Sequence, residues 1–392
     1  MSASLVGSEM CIRDRKRTAR MISWVCGSLF TLFSLLYLFV MQADLLATAQ
    51  HLLSKGQTVY SPLWGTVIIT LLLLLLQGVF RRIMVYPLRF HALYYFPSCV
   101  VLGLLTSIVP QTGWNVQLST NWIWLTVCIF LYILVTWMAL HFPDRKNGKQ
   151  NAFSFLWVNF LWLALQFCMV NSIANTKDVY HYRLKAERYL VEGQDSLALQ
   201  VGAKSLQTDR SLTAMRVFAL SRENLLGEKL FDFPQYNGSQ GLLPSLSDTT
   251  YAHDWTKALY KHLGGKPGKN LKDNTRFLEL LSQRPSATAA AKDYLLCAYL
   301  LDKNLDAFVT VLPRCHEVND NLPLHYKEAL ILYNRLHTTP AITYKNSVIE
   351  TNLNDFLHYG MQYTHATERS NQCRRMYGNT YWWYYYYQKP SE

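Results

Sequence analysis

The sequence predicts an all-α protein: a five-helix transmembrane bundle followed by an α-solenoid-like helical domain. Three observations carry this. Five apolar runs without Asp, Glu, Lys or Arg fill the first half. The basic residues between them alternate from side to side. From Asn175 onward the pattern changes to amphipathic segments of helical period separated by short polar breaks.

The spans are expected at about 22–41, 62–80, 92–109, 122–142 and 153–174, within a membrane domain of residues 16–174. Each run is long enough to cross roughly 30 Å of hydrocarbon as a helix. Lys16, Arg17 and Arg20 precede the first run. Arg81, Arg82 and Arg89 lie between the second and third, and Arg145, Lys146 and Lys149 between the fourth and fifth. The other two loops hold only Lys55. The positive-inside rule therefore puts the N-terminus in the cytoplasm and residues 175–392 outside it. Trp64, Trp114 and Trp122 at run edges suit anchoring at the membrane interface. The first run reads as an uncleaved signal-anchor, being too long for a signal-peptide core.

Residues 1–15 are set aside. Leu5 to Asp14, LVGSEMCIRD, resembles the translation of a transposase adapter used in sequencing libraries. That resemblance implies an artefact of assembly and a sequenced genome, with a bacterial inner membrane as the expected location.

The net charge of +12 is mostly a topology signal. Residues after Ala174 carry 26 basic and 22 acidic side chains, so they show no concentrated basic face and no nucleic-acid partner is expected.

Inside the runs, Gln77, Asn159 and Gln166 are expected to make interhelical hydrogen bonds. Pro97 is expected to kink the third span, with Ser98 satisfying freed carbonyls. Pumps and ion-coupled carriers usually place an ionisable group or a broken helix at mid-depth, and the runs show neither.

Helices in the second half are expected at 179–192, 196–206, 211–224, 250–263, 272–283, 287–301, 305–315, 323–336, 343–359 and 361–376. The first pair resembles a tetratricopeptide repeat. Ala186 and Ala198 take the small positions, Tyr182 and Tyr189 the aromatic ones, and Gly193 the turn. Lys185, Gly202 and Arg210 depart from the pattern. A weaker pair spans Tyr294–Asn319. The resemblance implies protein or peptide binding and no catalysis. The candidate binding residues are Tyr182 and Tyr189, with Phe233, Pro234 and Tyr236 in the long loop 230–248. That loop is expected either to act as a lid or to bury Phe231, Phe233, Leu242 and Leu243 while bridging two helical blocks.

The leading expectation is a scaffold in the bilayer that docks an envelope protein or peptide. The alternative is a glycan-modifying enzyme. Asp44 lies just outside the first span, where polytopic lipid-linked glycosyltransferases place a catalytic Asp. The chain resembles them in carrying an outer domain after a membrane bundle. It departs in having fewer spans and no carboxylate in Pro110–Asn121. The plainer expectation is that Asp44 caps an interfacial helix, 45–53, whose leucines rest on the membrane.

No cofactor is expected. HLGGKPGKN at 262–270 is one residue short of a phosphate loop and lacks its hydroxyl residue. The histidines lack zinc-site spacing, so no metal is expected. Cys297 and Cys315 fall on neighbouring helices, which allows one disulfide and leaves Cys373 over. The aromatic tail 377–387 is expected either to seal the last helix or to meet the membrane through Trp382 and Trp383.

Overall fold

The computed structural model describes residues 2–111, 115–120, 122–141, 152–245, 255–268 and 273–389. The chain divides into two compact units, Met1–His181 and Tyr182–Glu392. Among the described residues the fold is all-α apart from one small hairpin.

Among the described residues of the first unit, five helices are long and apolar enough to cross a membrane: Lys16–Met41, Pro62–Ile83, Leu88–Leu105, Trp122–His141 and Phe153–Ile173. Helix α1 (Ser2–Leu36) runs into a π-helical turn, Tyr37–Met41. Its buried face repeats every four residues through Ile22, Cys26 and Phe30, the spacing that lines up one side of a helix. Helices α2 (Ala43–Leu53) and α3 (Pro62–Ile83) follow. Pro62 opens α3, where a missing N–H costs nothing.

The third crossing differs from expectation. It is not one helix from Ala92 but a 3₁₀ segment, Leu88–Tyr95, followed by a ten-residue α4 (Phe96–Leu105). Pro97 lies in the first turn of α4, so it interrupts no helix interior. Ser98 does not serve freed carbonyls of its own span; its Oγ donates to the Leu73 carbonyl on α3 at 2.7 Å. The 3₁₀ backbone is instead tied to α6 (Ala152–Ile173). Asn159 Oδ1 accepts from Ala92 N–H at 2.7 Å, and Asn159 Nδ2 donates to Leu88 O at 2.8 Å. Gln166 Nε2 donates to Ala92 O at 3.0 Å. These amides lie seven residues apart, two turns along one face. They pair backbone groups that a 3₁₀ turn bonds poorly.

Helix α4 stops at Leu105 because Thr106 and Ser107 turn their hydroxyls back onto the Leu102, Gly103 and Leu104 carbonyls. The chain then forms a hairpin, β1 (Ile108–Gln111) antiparallel to β2 (Asn115–Leu118), in register Ile108 to Leu118. Residues 110–121 are expected as a loop, and strands this short leave no alternating pattern to stand out. The hairpin packs on α2. Helix α5 (Trp122–His141) buries Leu125, Thr136 and Ala139 and turns most of its large apolar side chains outward.

Helix α7 (Asp178–Val191) crosses from the first unit into the second. The rest of the second unit is a run of helices that pack mostly on their sequence neighbours. These are α8 (Asp195–Gln200), α9 (Arg210–Arg222), α10 (Leu226–Lys229), α11 (Trp255–Leu263), α12 (Asn274–Ser282) and α13 (Ala289–Leu301). They continue with α14 (Leu305–Cys315), α15 (Leu324–Leu336), α16 (Ser347–Met361), α17 (Ala366–Tyr377) and α18 (Tyr381–Tyr387). Asp209, Asp273, Thr288, Asn304, Asn346 and Thr380 each cap a helix start by accepting a backbone N–H. Helices α9, α13 and α15 are buried nearly all round and form the core.

Helix α8 ends at Gln200, well before the expected Leu206. Gly202 takes a left-handed φ of +58°, and a Cβ there would sit 2.7 Å from the Tyr182 ring. Arg216 Nη2 donates to two carbonyls past the helix end, Val201 O at 3.1 Å and Gly202 O at 3.0 Å.

Candidate binding cleft

The loop after α10 is ordered by polar contacts to its backbone. Ser239 N–H donates to Asp302 Oδ1 at 3.2 Å, and Asn274 Nδ2 donates to Ser239 O at 3.3 Å and Gln240 O at 3.2 Å. Phe231, Leu242 and Leu243 are buried beneath it, while Phe233 stays half-buried.

Against this loop lies α18. Trp382 and Trp383, expected either to seal the last helix or to meet the membrane, are buried within the second unit, 2 % and 7 % exposed. Glu328 Oε2 accepts the Tyr381 N–H, and Tyr384 Oη donates to Leu301 O at 2.7 Å. At the other end Lys303 Nζ donates to Tyr385 O and Gln388 O at 2.7 and 2.6 Å. A cation there satisfies the last carbonyls and complements the helix dipole.

Between the loop and the α17–α18 corner opens a cleft of about 740 Å³. Phe231 to Gln235 line one side, and Asn371, Arg374, Arg375, Met376, Trp383, Tyr384 and Gln388 line the other, with Leu206 at the rim. Arg374 is fixed in place. Its guanidinium lies 5.0 Å from the Trp383 ring centroid, and its Nη2 donates to Tyr236 Oη at 3.1 Å. Tyr236 in turn donates to Leu206 O at 3.0 Å. Arg375 is exposed. Beside Phe233 stands Arg216, 2 % exposed and 5.0 Å from that ring. Burial pulls the Arg216 pKa down to about 10, against the upward pull of Asp209 and Tyr182. Gln235 is 5 % exposed; its Nε2 donates to Leu230 O, and its Oε1 has no hydrogen-bond partner.

The structure thus gathers Phe233 and Pro234 on the cleft wall and uses Tyr236 to hold Arg374. Tyr182 and Tyr189 do not line it. Tyr182 packs on Gly202, and Tyr189 lies under Arg188 at 5.2 Å. Nothing in the local sequence marks Gln235 or Arg216, and the signal for Arg374 and Arg375 is an Arg pair on a helix otherwise poor in apolar residues.

In the first unit, Trp64 and Trp122 are exposed in the first turns of α3 and α5. Trp114 lies outside the described residues. Asp44 does not cap α2: Gln42 is the N-cap residue, and Asp44 sits in the first turn, where a carboxylate favours the dipole. Leu45, Leu46 and Leu52 are buried in protein, and Leu53 alone of the four is exposed.

The described cysteines are free thiols. Cys297 is not bridged to Cys315; it is buried with its Sγ 3.6 Å from Tyr326 Oη. Among the described residues no group of three His, Cys, Asp or Glu is placed to hold a metal.

A family model matches the chain over residues 19–266 and 268–388. The chain belongs to DUF6057, a family of unknown function. No curated protein and no solved structure matches it. The DUF6057 match covers the first apolar helix from residue 19 onward, the other four in full, and every residue of the cleft.

Proposed function

We propose that this protein is a bacterial inner-membrane scaffold that holds a tetratricopeptide-like helical domain outside the cytoplasm and binds an envelope protein or peptide there. The alternation of basic loops supports the orientation. The small residues Ala186 and Ala198, both buried, support the repeat-like reading of the α7–α8 pair. The observation that carries the binding reading is the open cleft at the α17–α18 corner, with Arg374 held between Tyr236 and Trp383. Arginine and aromatic side chains in a fixed arrangement are the residues that dominate protein recognition.

The test is a photo-crosslinking amino acid placed at Phe233 in the full chain in its native envelope, with a second at exposed Val348 as the control. A protein captured from position 233 and not from 348 is the expected result. Capture of lipid or glycan alone at 233 overturns the scaffold reading and directs attention to Asp44.

A further inference from the structure

We infer that the cleft's occupant is an acidic peptide segment, one that sets a carboxylate against Arg374 and Arg375 and an apolar side chain against the rim. This rests on the peptide-binding reading above and adds the chemistry of the partner.

Charge is the first argument. The cleft wall carries two guanidiniums, Arg374 and Arg375, and one carboxylate, Asp232. Arg216 adds a third cation behind Phe233, and its Nε and Nη1 have no hydrogen-bond partner. A recess walled by low-dielectric aromatic rings focuses that positive field. Arg374 is already oriented by Tyr236 and Trp383, so an incoming carboxylate meets a fork held in position.

The second argument is the orphan acceptor. Gln235 lines the cleft and is nine-tenths buried, with Oε1 unpaired. A buried acceptor normally finds a donor; this oxygen is itself out of solvent contact, so it accepts from a peptide backbone N–H once the Gln235 amide turns to face the cleft. A phosphate or another all-acceptor anion brings no donor.

The third is the rim. Leu206 and Met376 are 57 % and 65 % exposed on the cleft edge, which fits an apolar side chain next to the acid. Ring stacking of a sugar is disfavoured, because Trp383 is buried and its face is taken by Arg374.

The test immobilises the full chain in detergent micelles and challenges it with short random-sequence peptides. Retained peptides are sequenced and compared with the input. The expected result is a several-fold enrichment of Asp and Glu next to Leu, Met or Phe. It should fall to the input level in Arg374→Lys/Arg375→Gln and shift towards Lys and Arg in Arg375→Glu. Arg375 is exposed, so its variants should fold; unchanged tryptophan emission checks this. Peptides retained without acidic enrichment, or enrichment that survives the double variant, would overturn the inference while leaving peptide binding intact. Competition by anionic phosphatidylglycerol vesicles but not by acidic peptide would overturn it in favour of a lipid surface. No retention together with no protein crosslink at position 233 would overturn both this inference and the scaffold reading.

Discussion

Glu328 accepts the backbone N–H of Tyr381 at 2.8 Å, 53 residues away in sequence, and with the same oxygen meets His325 Nδ1 at 2.9 Å. This buried carboxylate holds the start of the aromatic helix α18. Removing it leaves a buried N–H and an imidazole without their partner, at about 1–3 kcal/mol each. Glu328→Ala should destabilise the second unit by on the order of 3 kcal/mol, read as an earlier tryptophan-fluorescence transition in urea. Glu328→Gln keeps an acceptor oxygen and should lose less than half as much. Equal losses in the two variants would show that the contact is incidental.

Gly202 is the residue that lets the chain turn under Tyr182. Its φ of +58° disfavours a side chain, and a Cβ would meet the ring at 2.7 Å. Gly202→Ala should cost about 1–3 kcal/mol. The double variant with Tyr182→Ala should recover part of that loss, since only the clash is relieved. Full additivity in the cycle would rule out direct contact.

Asn159 bonds three backbone groups, Ala92 N–H, Leu88 O and Phe155 O. Asn159→Leu should destabilise the membrane unit by on the order of 2 kcal/mol and increase proteolysis between α3 and α4. Protease patterns identical to the parent would show that the 3₁₀ segment stands without this support.

His262 titrates below its ordinary value, chiefly through burial and secondarily through the nearby Arg222. Its Nε2 lies 3.0 Å from Ser221 Oγ, a hydroxyl that can donate to neutral imidazole. The folded state therefore binds this proton less readily than the unfolded chain. The contribution is complete above the unfolded pKa of about 6.5 and is lost as pH falls below it. The melting temperature of the second unit should drop between pH 7.5 and 5. The drop should be smaller in His262→Gln, and an identical slope would assign the acid sensitivity elsewhere.

Asp44→Asn addresses the enzymatic alternative. Because Asp44 lies in the first turn of α2, in the unit that does not contain the cleft, protein capture at position 233 should be unchanged. Normal expression with a lost cellular phenotype would favour catalysis at Asp44.

The membrane helices were legible because charge avoidance in hydrocarbon is a strong local rule, visible residue by residue. The break in the third crossing is not legible locally, because what sustains its 3₁₀ turn, Asn159 and Gln166, lies some 70 residues further on. The tail's composition of Tyr and Trp suits a membrane interface and a protein core equally, and its partners in the core, Glu328 and Lys303 among them, are distant in sequence. Half of the cleft was readable, since a long loop rich in Pro and aromatic residues stands out. The arginines were not, because Tyr236 and Arg374 are 138 residues apart and nothing in either local pattern points to the other.

The aromatic helix α18 supplies the wall of the cleft and the plug of the core with the same side chains. Trp383 holds Arg374 on one side and donates to the Ser370 carbonyl on the other. That part of the cleft wall is therefore set before any guest arrives, and a guest that fits it pays little for ordering its host.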